Sequence, residues 1–420
     1  MELLNHYLSG VLLPAFLMLT GVFFAFKLKF FYILHPVKTS VDMVRGQKKG
    51  FSSLSLALAG TLGIGNIVGV ASAILMGGAG SIFWMWISAF CAMSLKYAEV
   101  FLAIKFQQHG EQNKPYGGAP YYIKYGLEKK LGKGLTLVLA SIFAILCVVN
   151  SLTTGNLVQI NSVSSLLPVS SLFFGIVFTV LVFAVICGGY LRICKITAFL
   201  IPILSSIYIF LCLVIILGNI YEIPRLFEKI FSDAFGVRSA SAGFCGYGIA
   251  ASIRYGVSRG VLSNEAGCGT SPAAHASSKC ESPHRQACLG IFEVFFDTVV
   301  LCSLTAFIIL LAGSKAESPM ELVLFSFEKY TGAFGTFLVA LLSILFAFAT
   351  VVCQYFYGIE ALRYFSNKRG KTAYTFIFCL ILLLGAVMPM SLMWQISDLA
   401  IAVMTVINLG CLLLLSKHIK

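Results

Sequence analysis

Long apolar runs, separated by short charged or Gly/Pro-rich breaks, set the pattern of this chain from end to end. Stretches such as 172–187 and 376–388 hold only apolar or small residues. They do not fit the alternating strands, roughly ten residues each, of an outer-membrane barrel, and they do fit helices of about 20 residues crossing a bilayer. Windows near 8–27, 52–78, 81–106, 135–163, 169–188, 192–219, 239–261, 286–313, 333–358, 371–389 and 391–416 predict about eleven such helices. The expected fold class is an all-α integral membrane protein.

Eleven helices divide as one leading helix plus ten. The ten split into 51–219 and 237–420, five helices in each, and an odd number per half inserts the second half upside down, giving a 5+5 inverted repeat. Residues 1–50 then form the leading helix and a basic cytoplasmic segment, and the last half ends in a short cytoplasmic tail. Between the halves, 220–236 reads as an external amphipathic linker, with Arg225, Glu228 and Lys229 set among Leu226, Phe227 and Ile230.

Composition agrees: 59% of residues are hydrophobic and only 11% charged, where soluble domains carry about a quarter. The net charge of +13 would suggest nucleic acid in a soluble protein, but here its distribution reads as membrane topology. With the amino end outside, 24 of the 30 Lys and Arg fall inside and five outside (Arg225, Lys229, Arg238, Lys315, Lys329), leaving Lys96 within a span. That bias predicts a multi-pass cell-membrane protein, amino terminus outside and carboxyl terminus cytoplasmic, with lipid as its surroundings and no nucleic-acid partner. The first helix reads as a retained span, not a signal peptide. Thirteen Cys without a Cys-x-x-Cys pair read as packing residues in a reducing or lipid setting.

The first helix of each half carries an interruption. In 56–71, LALAGTLGIGNIVGVA, Gly60, Gly63, Gly65 and Gly69 surround Thr61 and Asn66; in 241–256, SAGFCGYGIAASIRYG, Gly243, Gly246 and Gly248 are similarly placed. Glycines weaken helices, and backbone groups freed at membrane depth must be answered by something polar. A solute and cation would do this, the freed amides facing an anion and the freed carbonyls a cation. Close helix packing, for which Gly65-x-x-x-Gly69 is a literal motif, is the competing reading.

These segments resemble the alanine or glycine:cation symporter family. The run GTLGIGNIVGVASAILMGGAGSIFWMWISAF followed by KYAEVFLAIKF carries the likeness, with YGGAPYYI, RYGVSRGVLSNEAGCGTSPAAHA, DTVVLCSLTAF, FAFATVVCQYFYGIEAL and the Trp394, Asp398, Asn408 pattern of the last helix. The likeness spans nearly the whole chain. It implies a leucine-transporter-like repeat and symport of a small neutral amino acid, alanine or glycine, with Na⁺, or in some members H⁺. The chain departs from the family pattern at Ile64, at Ala119-Pro120, at Ala349 where Ser is common, and at Cys353-Gln354 in place of Gly-Trp. Loss of the hydroxyl at 349 puts ion affinity and ion identity in question.

On this footing the amides around Gly63, Gly65 and Asn66 are expected to hold the substrate carboxylate. Carbonyls near Thr61 and at Gly246-Tyr247-Gly248 would receive its ammonium. Phe244, Tyr247 and Trp394 are candidate walls, and Gln159 is either a substrate contact or a helix–helix hydrogen bond. By analogy with the fold, Na⁺ would meet the carbonyls of Ala59, Leu62 and Phe346 and the hydroxyl of Thr350.

Intramembrane charges are functional candidates by default. Lys96 and Glu99, three apart, read as a local ion pair. Asp297, mid-span without a neighbouring cation, is either a candidate proton site or a structural partner. Arg254, Arg259, Asn264 and Glu265 read as an inner gate or as a topological anchor. All six His are expected outside the spans, and no His-Glu-x-x-His, Gly-x-Ser-x-Gly or Walker-type loop occurs, so a membrane enzyme or ATP-driven pump is disfavoured and a channel remains a rival. The reading is a transporter working by alternating access.

Overall fold

The computed structural model describes residues 12–110, 114–236, 245–280, 282–365, 368–388 and 390–419, and excludes the side chains of 46–49, 245–247, 368–369 and 390–396. Helix α1 (Leu13–Lys27) and the short α2 (Phe31–Leu34) lead into α3 (Pro36–Thr61), a 3₁₀ turn (Ile64–Asn66), α4 (Val68–Gly77) and α5 (Gly80–Lys105). A two-stranded antiparallel ribbon, β1 (Gln108–His109) and β2 (Pro115–Tyr116), pairs Gln108 with Tyr116. After it come α6 (Ala119–Leu131) and α7 (Lys133–Leu152), a π-helical stretch (Thr153–Leu157), α8 (Val158–Val163), α9 (Ser171–Ile186), α10 (Gly189–Gly218) and α11 (Ile223–Ala234). The remainder comprises α12 (Cys245–Asn264), α13 (Pro272–Ala276), α14 (Pro283–Val294), a second π-helical stretch (Phe295–Cys302), α15 (Ser303–Ala312), α16 (Pro319–Arg363), α17 (Lys368–Gly385) and α18 (Met390–Leu415).

Local chemistry explains several boundaries. Ser318 and Glu321 form a reciprocal capping box at the start of α16, with Pro319 in the first turn. The same helix kinks at Gly332, whose φ of 60° is a left-handed conformation that favours glycine. Ser170 and Ser282 cap α9 and α14 through their side-chain oxygens.

Among the described residues, six helices are long and apolar enough to cross a membrane, α3 and α4 add a seventh as one bent span, and three shorter apolar helices accompany them. Large apolar side chains such as Leu172, Phe173, Val180, Phe199 and Phe210 face outward, whereas Lys96, Glu99, Glu293 and Asp297 are fully buried. Apolar outside and polar inside is the arrangement lipid demands. The multi-pass, all-helical membrane architecture read from the sequence is therefore present. The amphipathic α11 lays Leu226, Ile230 and Ala234 inward, and ten of the twelve described cysteines are buried and all twelve free. Packing of α5 on α12 and α14, and of α3 on α14, sets both interrupted spans side by side.

Candidate functional site

The first interruption falls where the glycines predict it. The segments on either side, Gly50–Thr61 and Ile64–Gly77, meet at 59°. The Gly63 amide turns back to the Thr61 carbonyl at 2.9 Å, which releases the Ala59 carbonyl from its helical partner. The Ile64 amide donates to Gln159 Oε1 at 3.2 Å, Thr350 Oγ1 donates to the Leu62 carbonyl at 3.4 Å, and Thr305 Oγ1 donates to the Asn66 carbonyl at 2.8 Å. Gln159 thus holds the break itself. A Cβ on Gly63 would lie 2.6 Å from Thr350 Oγ1 and 2.9 Å from Gln159 Oε1, and one on Gly65 3.3 Å from Ser263 Cα. These two glycines admit neighbouring helices to the break. Gly69 meets nothing within 4 Å, so the Gly65-x-x-x-Gly69 spacing is not a packing motif at its second position. The Thr61 hydroxyl points back to the Ala57 and Leu58 carbonyls of its own helix.

At the second interruption, the described part of the glycine cluster, 245–248, is helical, and the break lies further along the chain. Gly246, Tyr247 and Gly248 sit in continuous helix α12, which runs unbroken to Asn264, about 24 Å along the axis from Gly248 at 1.5 Å per residue. Gly243 and Phe244 fall outside the described residues, as do the side chains of Tyr247 and Trp394. The chain leaves helical geometry at 265–271, where Glu265 (φ 49°), Gly267 (φ 84°) and Gly269 (φ 79°) adopt left-handed conformations. Polar side chains answer the freed backbone. Asn264 Oδ1 accepts from the Ala266 amide at 3.0 Å, Glu99 Oε1 from the Gly269 amide at 2.9 Å, and the Gly267 carbonyl from Asn408 Nδ2 at 2.8 Å. The Glu265 carboxylate takes Thr270 Oγ1 and, at 2.8 Å, Gln354 Nε2.

A single carboxylate joins the two interruptions. Asp297, inside the π-helical stretch, accepts from Asn66 Nδ2 at 2.8 Å, Ser263 Oγ at 2.9 Å and Thr298 Oγ1 at 2.8 Å. Its side chain is fully buried, and no Lys, Arg or His nitrogen lies within 4 Å among the described residues. The Asn66 Oδ1, Asn150 Oδ1, Thr154 Oγ1 and Gln354 Oε1 atoms around the breaks are buried without a hydrogen-bond partner among the described residues. Leu62, Gly63, Asn66 and Phe346 share a hollow of about 10 Å³, and Asn150, Glu265 and Cys268 share another of about 10 Å³. Each has room for about one water molecule.

Other expectations need correction. Lys96 does not pair with Glu99; its ammonium lies 3.2 Å from Glu293, because Glu99 is engaged by the second interruption. His275 lies outside the candidate spans, as expected, yet it is fully buried against Glu293. The four gate candidates engage different neighbours. Asn264 and Glu265 are committed to the break, Arg254 lies over the Tyr255 ring, and Arg259 is felt electrostatically by Asp398. Ser263, Asn408 and Gln354 escaped the sequence reading as site residues, and Glu99 was read only as an ion-pair partner. Their signal is a polar side chain within an apolar span.

Interrupted membrane helices whose released polar groups gather inside an apolar shell describe the class of membrane transporters. The chain belongs to the sodium:alanine symporter family, whose model matches residues 1–420. It is 36% identical to the sodium/alanine symporter AgcS of Methanococcus maripaludis, over 98% of this chain and 93% of that protein. It is 33% identical to the uncharacterized transporter YflA of Bacillus subtilis, over 100% of this chain and 91% of that one. The probable sodium/glutamine symporter GlnT of the same bacterium is 31% identical, over 98% and 87%. The chain is accordingly a multi-pass transporter of the symporter type and not an enzyme.

Proposed function

We propose that the protein carries a small neutral amino acid, alanine or glycine, together with Na⁺ by alternating access. The arrangement it would use is eleven spans, one leading helix and a 5+5 inverted repeat, in the cell membrane with the amino terminus outside and the carboxyl terminus cytoplasmic. The observation that carries the reading is the meeting of Thr350 Oγ1 with the Leu62 carbonyl, beside the released Ala59 carbonyl and the buried Phe346. A hydroxyl and main-chain carbonyls are hard oxygen ligands of the kind an alkali cation takes. The substrate carboxylate would meet the amides around Gly63, Gly65 and Asn66, and Gln159 would support that segment. Because Gly246–Gly248 lie in helix, the ammonium is assigned to the acceptors of 265–271 and their neighbours Asn150 and Gln354. Names of relatives supply alanine and glutamine as substrates to compare.

Proton coupling through Asp297 is the second reading, favoured by a buried carboxylate that only neutral donors contact. Radiolabelled uptake into proteoliposomes decides between them. Alanine or glycine should accumulate above its external concentration under an inward Na⁺ gradient and not under a proton gradient. The reverse ion dependence favours Asp297, while equilibration without accumulation indicates a channel. Serine and glutamine belong in the same panel.

A further inference from the structure

Helix α13 has five residues, too few to hold its own position by helix cooperativity. Side chains hold it at both ends and in the middle. Lys96 Nζ donates to Ser271 Oγ at 2.7 Å, just ahead of its first residue, and lies 3.2 Å from Glu293 Oε1. Glu293 Oε2 lies 2.9 Å from His275 Nε2. Gln286 Nε2 lies 2.9 Å from His275 Nδ1, so both ring nitrogens are engaged. At and just beyond its last residue, Gln107 Nε2 donates to the Ala276 and Ser278 carbonyls at 2.7 and 2.9 Å.

The chain of bonds does not stop at α13. Gln286 Nε2 also donates to Ser53 Oγ at 3.0 Å, and Ser53 donates to the Gly50 carbonyl at 2.7 Å. Ser53 lies on α3, in the half of the first interrupted span that precedes its break. A continuous path therefore runs from the edge of one interruption, through α5 and α14, to the other interrupted span. Lys96, Ser271, His275, Gln286 and Glu293 are all fully buried, and Ser53 is 2% exposed. None of them has an unpartnered polar atom, in contrast to the acceptors around the breaks. A buried polar network with every member satisfied is stiff, since any displacement leaves a charge or donor unpaired in a dry interior.

We propose that Lys96, Glu293, His275 and Gln286 are positioning residues that join α13 to the first half of α3, so that both move as one piece during transport without touching the solute. They would govern turnover and leave solute affinity alone. The inference rests on the chain being a symporter; the experiment therefore uses whichever amino acid and cation drive uptake by the wild-type chain, and absent alanine uptake would count only against the substrate assignment above.

The test compares the wild-type chain with Lys96→Met/Glu293→Gln, a neutral pair that keeps an acceptor for His275, and with Ser53→Ala, which cuts the last link. In proteoliposomes, kcat is expected to fall about tenfold in the double variant and about threefold in Ser53→Ala, with equilibrium binding of the labelled amino acid within about twofold of wild type. Wild-type kcat in both variants overturns the proposal, as does a loss of binding that matches the loss of turnover. Should the double variant fail to reach the membrane folded, Ser53→Ala decides alone by the same criteria.

Discussion

The side-chain amide of Asn66 donates to the carboxylate of Asp297 at 2.8 Å across 231 positions of sequence. The same amide also reaches the Asp297 carbonyl, at 3.1 Å. One residue in a 3₁₀ turn and one in a π-helical stretch are thereby held together where Ser263 brings in the end of α12. Three departures from α-helical geometry share this one contact.

Asp297→Asn keeps the shape but opposes an amide to the Asn66 amide and removes the charge. We expect the initial rate of ion-driven uptake to drop by about tenfold or more, with the solubilised protein still monodisperse. An unaltered rate would show that the junction serves packing alone.

Thr350→Ala removes a hydroxyl 3.4 Å from the Leu62 carbonyl. The apparent KM for Na⁺ should rise severalfold more than that for alanine, as read from uptake at stepped Na⁺ concentrations; equal changes in both constants would take Thr350 out of the ion site. The converse substitution, Ala349→Ser, should lower the KM for Na⁺ if the neighbouring position offers a further oxygen.

Gly63→Ala places a methyl group 2.6 Å from Thr350 Oγ1 and 2.9 Å from Gln159 Oε1. Overpacking of this kind costs about 1–3 kcal/mol, and it strikes the residues that hold the break. Amino-acid binding by the purified protein should be lost, whereas Gly69→Ala, in open space, should bind as wild type.

Gly267 has φ 84°. Alanine there meets a left-handed penalty of about 1–2 kcal/mol, so thermal unfolding in detergent should shift to lower temperature. No shift would indicate that 265–271 relaxes to another conformation without cost.

The first interruption was legible because its glycines sit among the polar residues Thr61 and Asn66 at mid-span. The second was not found by the same rule. Gly246 and Gly248 lower helix propensity by about 1 kcal/mol each, which α12 absorbs through its packing. At 265–271, by contrast, two glycines alternate with Asn264, Glu265, Thr270 and Ser271 just ahead of Pro272. Those side chains can sew up a released backbone, and Pro272 cannot continue a helix backwards. Counting glycines weighs the ease of breaking a helix and ignores what stabilises the broken form. Lys96 shows a similar limit: proximity in sequence favoured Glu99, but the second interruption claims that carboxylate, and Glu293 approaches from another helix.

The wide turn at Phe295–Cys302 has one further implication. Such a bulge holds one residue more than regular winding would, so Asp297 inside it and Thr305 beyond it answer to two different helical phases. Were the same residues wound as regular α-helix, everything downstream would be rotated by about 100°. Thr305 would then swing away from the Asn66 carbonyl and Ser303 from Trp86. The length of this short run, as much as its chemistry, fixes which side chains look inward.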